Sequence, residues 1–249
     1  YALAAALGAL LLLRDRPPGW GRDLASAGLL LVAMGKPSLC APFVLLALVL
    51  PGGARPVALL VAAYVALTLF AASFQPLGLR EQFGYFFAQA ARVGARHGRS
   101  DLHTLVTWLG VPSAMAAASA AALALLAWWL WRHRHADFWL LAGVTAVAAR
   151  FWTYHRWYDD LLIVLPLVAL FRLAKSDPGE RGIVDCVLFA LTLAFLLAPG
   201  GLYLLPPPWV SAYTDAQAVL WLACAGWLAM AARRDPGASA GPPGAIAPA

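Results

Sequence analysis

About nine apolar runs, separated by short polar or basic turns, take up most of this chain and leave it few places to fold other than a lipid bilayer. They cover residues 1–13, 24–35, 38–50, 57–73, 105–131, 137–153, 161–173, 183–199 and 217–232. A helix needs about 20 apolar residues to cross the hydrocarbon core, and shorter runs serve where a helix is broken or re-entrant. The 249 residues are 62% hydrophobic and 12% charged, against roughly 45–50% and 25% for a soluble domain. A water-soluble core of this size has no room for so much apolar surface. The expectation is therefore an all-α, polytopic membrane helix bundle whose segments include short or broken helices. It forms one spanning domain over residues 1–234. The tail at 235–249, made mostly of Pro, Gly and Ala with no apolar face, reads as a disordered cytoplasmic extension.

A formal charge of +6 and a pI near 9.6 are compatible with nucleic-acid binding, but the cations sit in short clusters between apolar runs. That is the placement membrane topology demands, so no nucleic-acid partner is expected. Arg14, Arg16 and Arg22, then Arg55, Arg132 and Arg134, then Arg172, Lys175 and Arg181, then Arg233 and Arg234 fall on one side of the alternating runs. The positive-inside rule makes that side cytoplasmic. The outer side then receives the turn at Lys36-Pro37, a long loop over about 74–104, the turn from Tyr154 to Asp160 and a loop over about 200–216. Pro51-Gly52-Gly53 and Asp177-Pro178-Gly179 mark cytoplasmic turns. Cys40, Cys186 and Cys224 have neither metal-ligand nor redox spacing and read as three buried structural thiols. The chain starts at Tyr1 inside an apolar run with no basic leader, which reads as the stump of a longer protein rather than a signal peptide.

Three stretches carry possible chemistry. Gly35-Lys36-Pro37-Ser38 interrupts two apolar runs. One continuous helix would hold a lysine near its middle at a cost of about 2.5–3.5 kcal/mol, so a break is expected, with Lys36 in an outer cavity able to hold an anionic phosphate. The alternative is a snorkelling lysine in a kinked helix. The second stretch runs from Arg150 through His155, Arg156, Trp157, Tyr158, Asp159 and Asp160. Singly, these residues read as an aromatic belt, a snorkelling arginine and a helix cap; together they exceed what a hairpin needs and suggest a site. Asp159 and Asp160 are adjacent, so their side chains diverge and make a poor metal pair.

The third stretch is the long outer loop. Arg92, Arg96 and Arg99 recur at helical spacing after Phe86 and Phe87 and are followed by Ser100, Asp101 and His103. That is the pattern of an amphipathic interfacial helix, which either anchors on lipid phosphates or closes over a lipid-phosphate substrate. His133 and His135 stand among arginines and extend the basic topology signal rather than form a metal pair. No metal site is expected, a divalent ion has no support in the sequence, and no cofactor is assigned.

Gly-Lys-Pro between two short apolar runs, an outer loop ending in Arg-Ser-Asp-Leu, and Tyr-His-Arg-Trp-Tyr-Asp-Asp followed by Leu-Leu-Ile-Val-Leu-Pro together resemble the polyprenyl-phosphate-mannose-dependent mannosyltransferases. These form glycosyltransferase family 87 of the GT-C superfamily. The resemblance covers about residues 20–175, the later part of a family member, with Ser38 standing where the family often has Gln. It implies a GT-C bundle that transfers a hexose, mannose first, from a polyprenyl phosphate donor to a lipid or glycan acceptor on the outer face; the richness in Ala, Arg and Gly fits a bacterium of high genomic GC, and so a bacterial cell membrane. It further implies that Lys36, with Arg150 and Arg156, meets the donor phosphate. His155, Tyr158, Asp159, Arg99 and Asp101 would line the substrate cavity. The superfamily's general base usually lies in a first outer loop, so the resemblance places it upstream of Tyr1 and leaves the catalytic residue unassigned here. Rival readings are a transporter or flippase for a lipid-linked sugar, and a non-catalytic membrane subunit.

Overall fold

In a computed structural model the described residues are 1–76, 78, 80–82, 84–85, 101–102, 105–106, 109–153, 157–177, 179–197, 205–206 and 208–234. They contain helices and turns and no strand. The principal helices are α1 (Ala2–Asp15), α2 (Trp20–Ala33), α3 (Pro37–Val49), α4 (Ala54–Ala72), α5 (Met115–Arg132), α6 (Phe138–Phe151), α7 (Val164–Ser176), α8 (Glu180–Leu197) and α9 (Trp209–Arg234). Among them α4, α5 and α9 are long and apolar enough to cross a membrane, while α3 and α6 are apolar but shorter. Helix α4 buries only Pro56 and Leu60 and leaves Val61, Val65, Leu67, Leu69 and Phe70 exposed. So large an apolar face suits hydrocarbon and not water.

Helix α6 is the centre of the bundle. It buries residues all round its circumference, from Phe138 and Leu140 to Ala149 and Arg150, and it packs on α3, α5, α7 and α9. Small residues make the close approaches possible: a Cβ on Gly143 would lie 2.9 Å from the Leu228 side chain, 3.2 Å from Pro166 Cα and 3.3 Å from Ala169 Cβ. Lipid tails are as apolar as leucine, so packing of this kind, more than exclusion from water, holds helices together in a bilayer. On the other flank Ala2, Ala6, Ala9, Leu10 and Leu13 of α1 meet Leu30, Cys40, Phe43 and Leu46 of α2 and α3 in the largest apolar cluster.

Successive helices run up and down, so their junctions fall at two ends. At one end Arg22 is buried. It donates to Asp23 Oδ1 at 2.9 and 2.7 Å and to the carbonyls of Arg16, Pro51 and Gly52 at 3.2–3.3 Å, while Arg55 donates to Asp23 Oδ2 at 3.1 Å. The turn it clasps needs Gly52 at φ +69°. Arg14 lies 4.8 Å from the Phe138 ring at the same end. The opposite end holds the Gly35-Lys36 turn, the Trp152 turn and the start of α9.

Several expectations change. The run at 105–131 is not one helix: Gly110 adopts φ +74°, Pro112–Ala114 forms a 3-10 turn, and α5 begins only at Met115. A left-handed glycine two residues before a proline stops a helix. Helix α9 starts at Trp209 rather than 217, because its polar first turns find partners inside the protein: Tyr213 Oη and Gln217 Nε2 both donate to the Phe195 carbonyl, at 2.9 and 3.3 Å. The run at 161–173 splits into a 3-10 segment, Trp157–Ile163, and α7, whose first turn carries Pro166 where no N–H is needed. Cys40 and Cys224 are buried as expected, but Cys186 is exposed on the outward face of α8. The outer-loop arginines Arg92, Arg96 and Arg99 and the tail at 235–249 lie outside the described residues.

Candidate functional site

The break between α2 and α3 comes from local chemistry. Helix α2 closes as Met34 N donates to Leu30 O, Gly35 N to Val32 O and Lys36 N to Ala33 O, and Pro37 opens α3 at a position that needs no donor. Lys36 therefore stands in the turn, and the expected break displaces the kinked-helix alternative. Further along α3 a second proline acts at a distance. Pro42 has no N–H, so it cannot bond the carbonyl four residues back, which is that of Ser38. Trp152 Nε1 donates to that carbonyl at 2.6 Å from the end of α6. The Trp152 carbonyl in turn accepts from Ser119 Oγ of α5 at 2.9 Å. Trp152 is thus a tether among three helices.

Beyond Trp152 the chain enters the 3-10 segment that carries Asp159 and Asp160. Their side chains diverge, as adjacency requires, and each meets a cation from a different helix junction. Lys36 Nζ forms an ion pair and hydrogen bond with Asp159 Oδ1 across 123 residues of sequence. Asp159 is 3% exposed and Lys36 31%, so the pair is open to its surroundings on the lysine side. Arg150 Nε donates to Asp160 Oδ1 at 2.7 Å, with both side chains buried. The Arg150 guanidinium also lies 5.4 Å from the Trp221 ring and 5.9 Å from that of Phe151, a cation–π setting shared by α6 and α9. Its Nη1 is buried with no hydrogen-bond acceptor among the described residues. A buried guanidinium donor without an acceptor costs about 1–3 kcal/mol, which an oxyanion or a water would recover.

Of the residues singled out from the sequence, Lys36, Arg150 and Asp159 gather at this junction. Asp101 is buried at the head of a short helical turn, where its carbonyl accepts from Leu105 N at 3.0 Å. Tyr158 belongs by its backbone to the 3-10 segment, and its side chain lies outside what is described, as do His155, Arg156 and Arg99 altogether. Asp160 belongs to the stretch read as a site but has no role of its own in that reading, and Trp152 and Ser38 have none either. Pro42 was the available signal for the last two, because a proline inside a helix advertises an unpartnered carbonyl one turn earlier. Among the described residues no group of three His, Cys, Asp or Glu side chains is arranged to hold a metal ion.

Chemically, the junction offers two cations of different reach. One is an ammonium partly open to its surroundings, and the other is a buried guanidinium whose Nη1 has no acceptor among the described residues; each is balanced by a carboxylate. Such a pair can receive an anionic oxygen group if the carboxylates yield or bridge. Beside it, α2 and α4 enclose a groove of 630 Å3 lined by Leu31, Met34, Gly35, Tyr64, Leu67 and Thr68 among others, adjoining the Lys36 turn. Comparison with protein-family models, curated proteins and solved structures gives no match for this chain.

Proposed function

We propose that the chain is a multi-pass membrane glycosyltransferase of GT-C type. It moves a hexose, mannose first, from a polyprenyl phosphate donor to a lipid or glycan acceptor on the outer side of a bacterial cell membrane. The observation that carries this reading is the Lys36–Asp159 pair. It joins the Gly-Lys-Pro turn to the Tyr-His-Arg-Trp-Tyr-Asp-Asp turn, two stretches far apart in the chain that bear the resemblance to family 87. Orientation follows from the cations: the arginine-rich end lies in the cytoplasm and the Lys36 end faces outward.

In the reaction an acceptor hydroxyl attacks the anomeric carbon, the bond from that carbon to the phosphate oxygen breaks with inversion, and the bonding pair leaves with the polyprenyl phosphate. Lys36, Arg150 and Arg156 stabilise the leaving phosphate. His155, Tyr158, Asp159, Arg99 and Asp101 line the sugar and acceptor cavity. A base takes the hydroxyl proton. Asp159 is committed to Lys36 and is not assigned that role.

The groove between α2 and α4 supports the reading, since its mostly apolar lining reaches Gly35, the residue before the lysine that meets the phosphate. At the other end Arg22 spends its donors on Asp23 and on three backbone carbonyls, which makes it a clasp between turns.

The test is transfer of radiolabelled mannose from polyprenyl phosphate mannose into membrane lipids, with the full open reading frame expressed in a host lacking that activity. Transfer above empty-vector membranes is expected. Lys36→Ala should reduce it about 100-fold or more while leaving insertion intact. Wild-type transfer by the variant refutes the donor-phosphate role. No transfer from mannose, glucose or arabinose donors, with insertion verified, refutes the enzyme.

A further inference from the structure

The arginine-rich end of the bundle carries a second cavity, of 560 Å3, between α6, α7 and α9. Its lining divides sharply by chemistry. Leu140, Ala169, Leu173 and Ala231 make an apolar wall that leads into the packed centre of the bundle, and Arg172, Lys175, Ser176 and Asp137 form the rim. Asp137 is engaged at both oxygens. Its Oδ1 accepts from Trp139 N at 2.9 Å, where it caps α6, and its Oδ2 meets Arg172 Nη2 at 3.5 Å, the outer limit of a hydrogen bond. Arg172 keeps 53% of its side chain exposed, and Lys175 is exposed as well. The rim therefore presents two accessible cations against one carboxylate already in use.

We infer that this cleft binds an anionic glycerophospholipid, its phosphate on Arg172 and Lys175 and the upper part of an acyl chain against Leu140, Ala169, Leu173 and Ala231. Three features favour that occupant. The cleft opens at the helix ends of a bundle that has membrane-length apolar helices, so its rim stands at headgroup depth. The cations at the mouth complement a phosphodiester, and basic pockets between spanning helices are the usual means of holding anionic lipid. The apolar wall distinguishes a lipid from free phosphate, which would gain nothing from it. This site is separate from the Lys36 junction, which lies at the opposite end, and does not depend on the transferase reading.

The experiment uses the full chain purified in a neutral detergent, with phosphatidylglycerol or phosphatidylcholine added and lipid adducts counted by native mass spectrometry. Two cations correspond to a preference for phosphatidylglycerol of roughly thirtyfold. Arg172→Gln with Lys175→Gln should reduce the preference to about twofold or less. Arg132→Gln with Arg134→Gln, at the α5 end on the same side but outside the cleft, should leave it unchanged. Ala231→Phe, which fills the wall and keeps both cations, should lower retention at least fivefold. Equal loss in the α5 control overturns the proposal in favour of diffuse surface charge. Full competition by about 10 mM inorganic phosphate overturns it too, since the cations would then act as point charges and the wall would contribute nothing. An undiminished preference in the Arg172/Lys175 variant likewise rejects it.

Discussion

The link between Pro42 and Trp152 can be tested as a thermodynamic cycle. Pro42 removes the donor that would otherwise bond the Ser38 carbonyl within α3, and Trp152 Nε1 supplies a replacement from α6 at 2.6 Å. Trp152→Phe keeps most of the ring's packing and deletes the donor, leaving a carbonyl unsatisfied at the junction of α3, α5 and α6. That costs about 1–3 kcal/mol. In a Pro42→Ala background the backbone N–H gained at this position can bond the Ser38 carbonyl by itself, so the same Trp152→Phe change loses only its packing contribution. Packing is common to both arms and cancels, so the coupling between the two positions should be about 1–3 kcal/mol. For a chain of this size that is a difference of roughly 2–12 °C in melting temperature between the two Trp152→Phe arms. Thermal unfolding of all four proteins in the same detergent, followed by tryptophan emission or by loss of soluble monomer, measures it. If Trp152→Phe lowers the melting temperature equally in the wild-type and Pro42→Ala backgrounds, the argument that one residue compensates the other is wrong.

Three further outcomes follow from named contacts. Arg150→Met removes the cation paired with the buried Asp160 carboxylate and should destabilise by about 3–5 kcal/mol, whereas Arg150→Met with Asp160→Leu should recover most of that loss in the same melts; failure to recover would mean the pair is not the source. Gly143→Val pushes side-chain atoms into Leu228 and against the α7 backbone at Pro166, and should cost about 1–3 kcal/mol and broaden the unfolding transition. Gly52→Ala puts a Cβ at φ +69° and 2.7 Å from Arg22 Nη2, so it should cost about 1–2 kcal/mol, while Gly21→Ala, whose Cβ meets nothing within 4 Å, should not destabilise.

Much of the architecture was legible in the chain. Apolar runs of helical length announced helices, Lys36 next to Pro37 announced a break, and Pro51-Gly52-Gly53 announced a turn, because each depends on neighbouring residues alone. Bounds failed where a local rule competed with tertiary bonding. Tyr213 and Gln217 lower the apolar count of α9's first turns, yet they sit comfortably there because the Phe195 carbonyl accepts from both. Exposure of Cys186 was likewise beyond reach, since an apolar residue in hydrocarbon can face either protein or lipid and the sequence pattern does not distinguish them.

For the candidate site the division is sharper. The residue types were visible: a lysine in a helix break, an arginine at a helix end and two adjacent carboxylates whose side chains had to diverge. Which cation meets which carboxylate was not, because 123 residues separate Lys36 from Asp159 and no periodicity spans that distance. By itself the sequence determined that this chain is helical, apolar beyond the limit of a soluble domain and asymmetric in its cations, since these follow from composition and local spacing. Only the tertiary structure decided that α6 lies at the centre, that Trp152 answers the carbonyl Pro42 leaves open, and that Lys36 and Arg150 stand against Asp159 and Asp160. Those outcomes depend on which helix faces which, and that is set by the close approaches at Gly143 and its neighbours and not by any single run of residues.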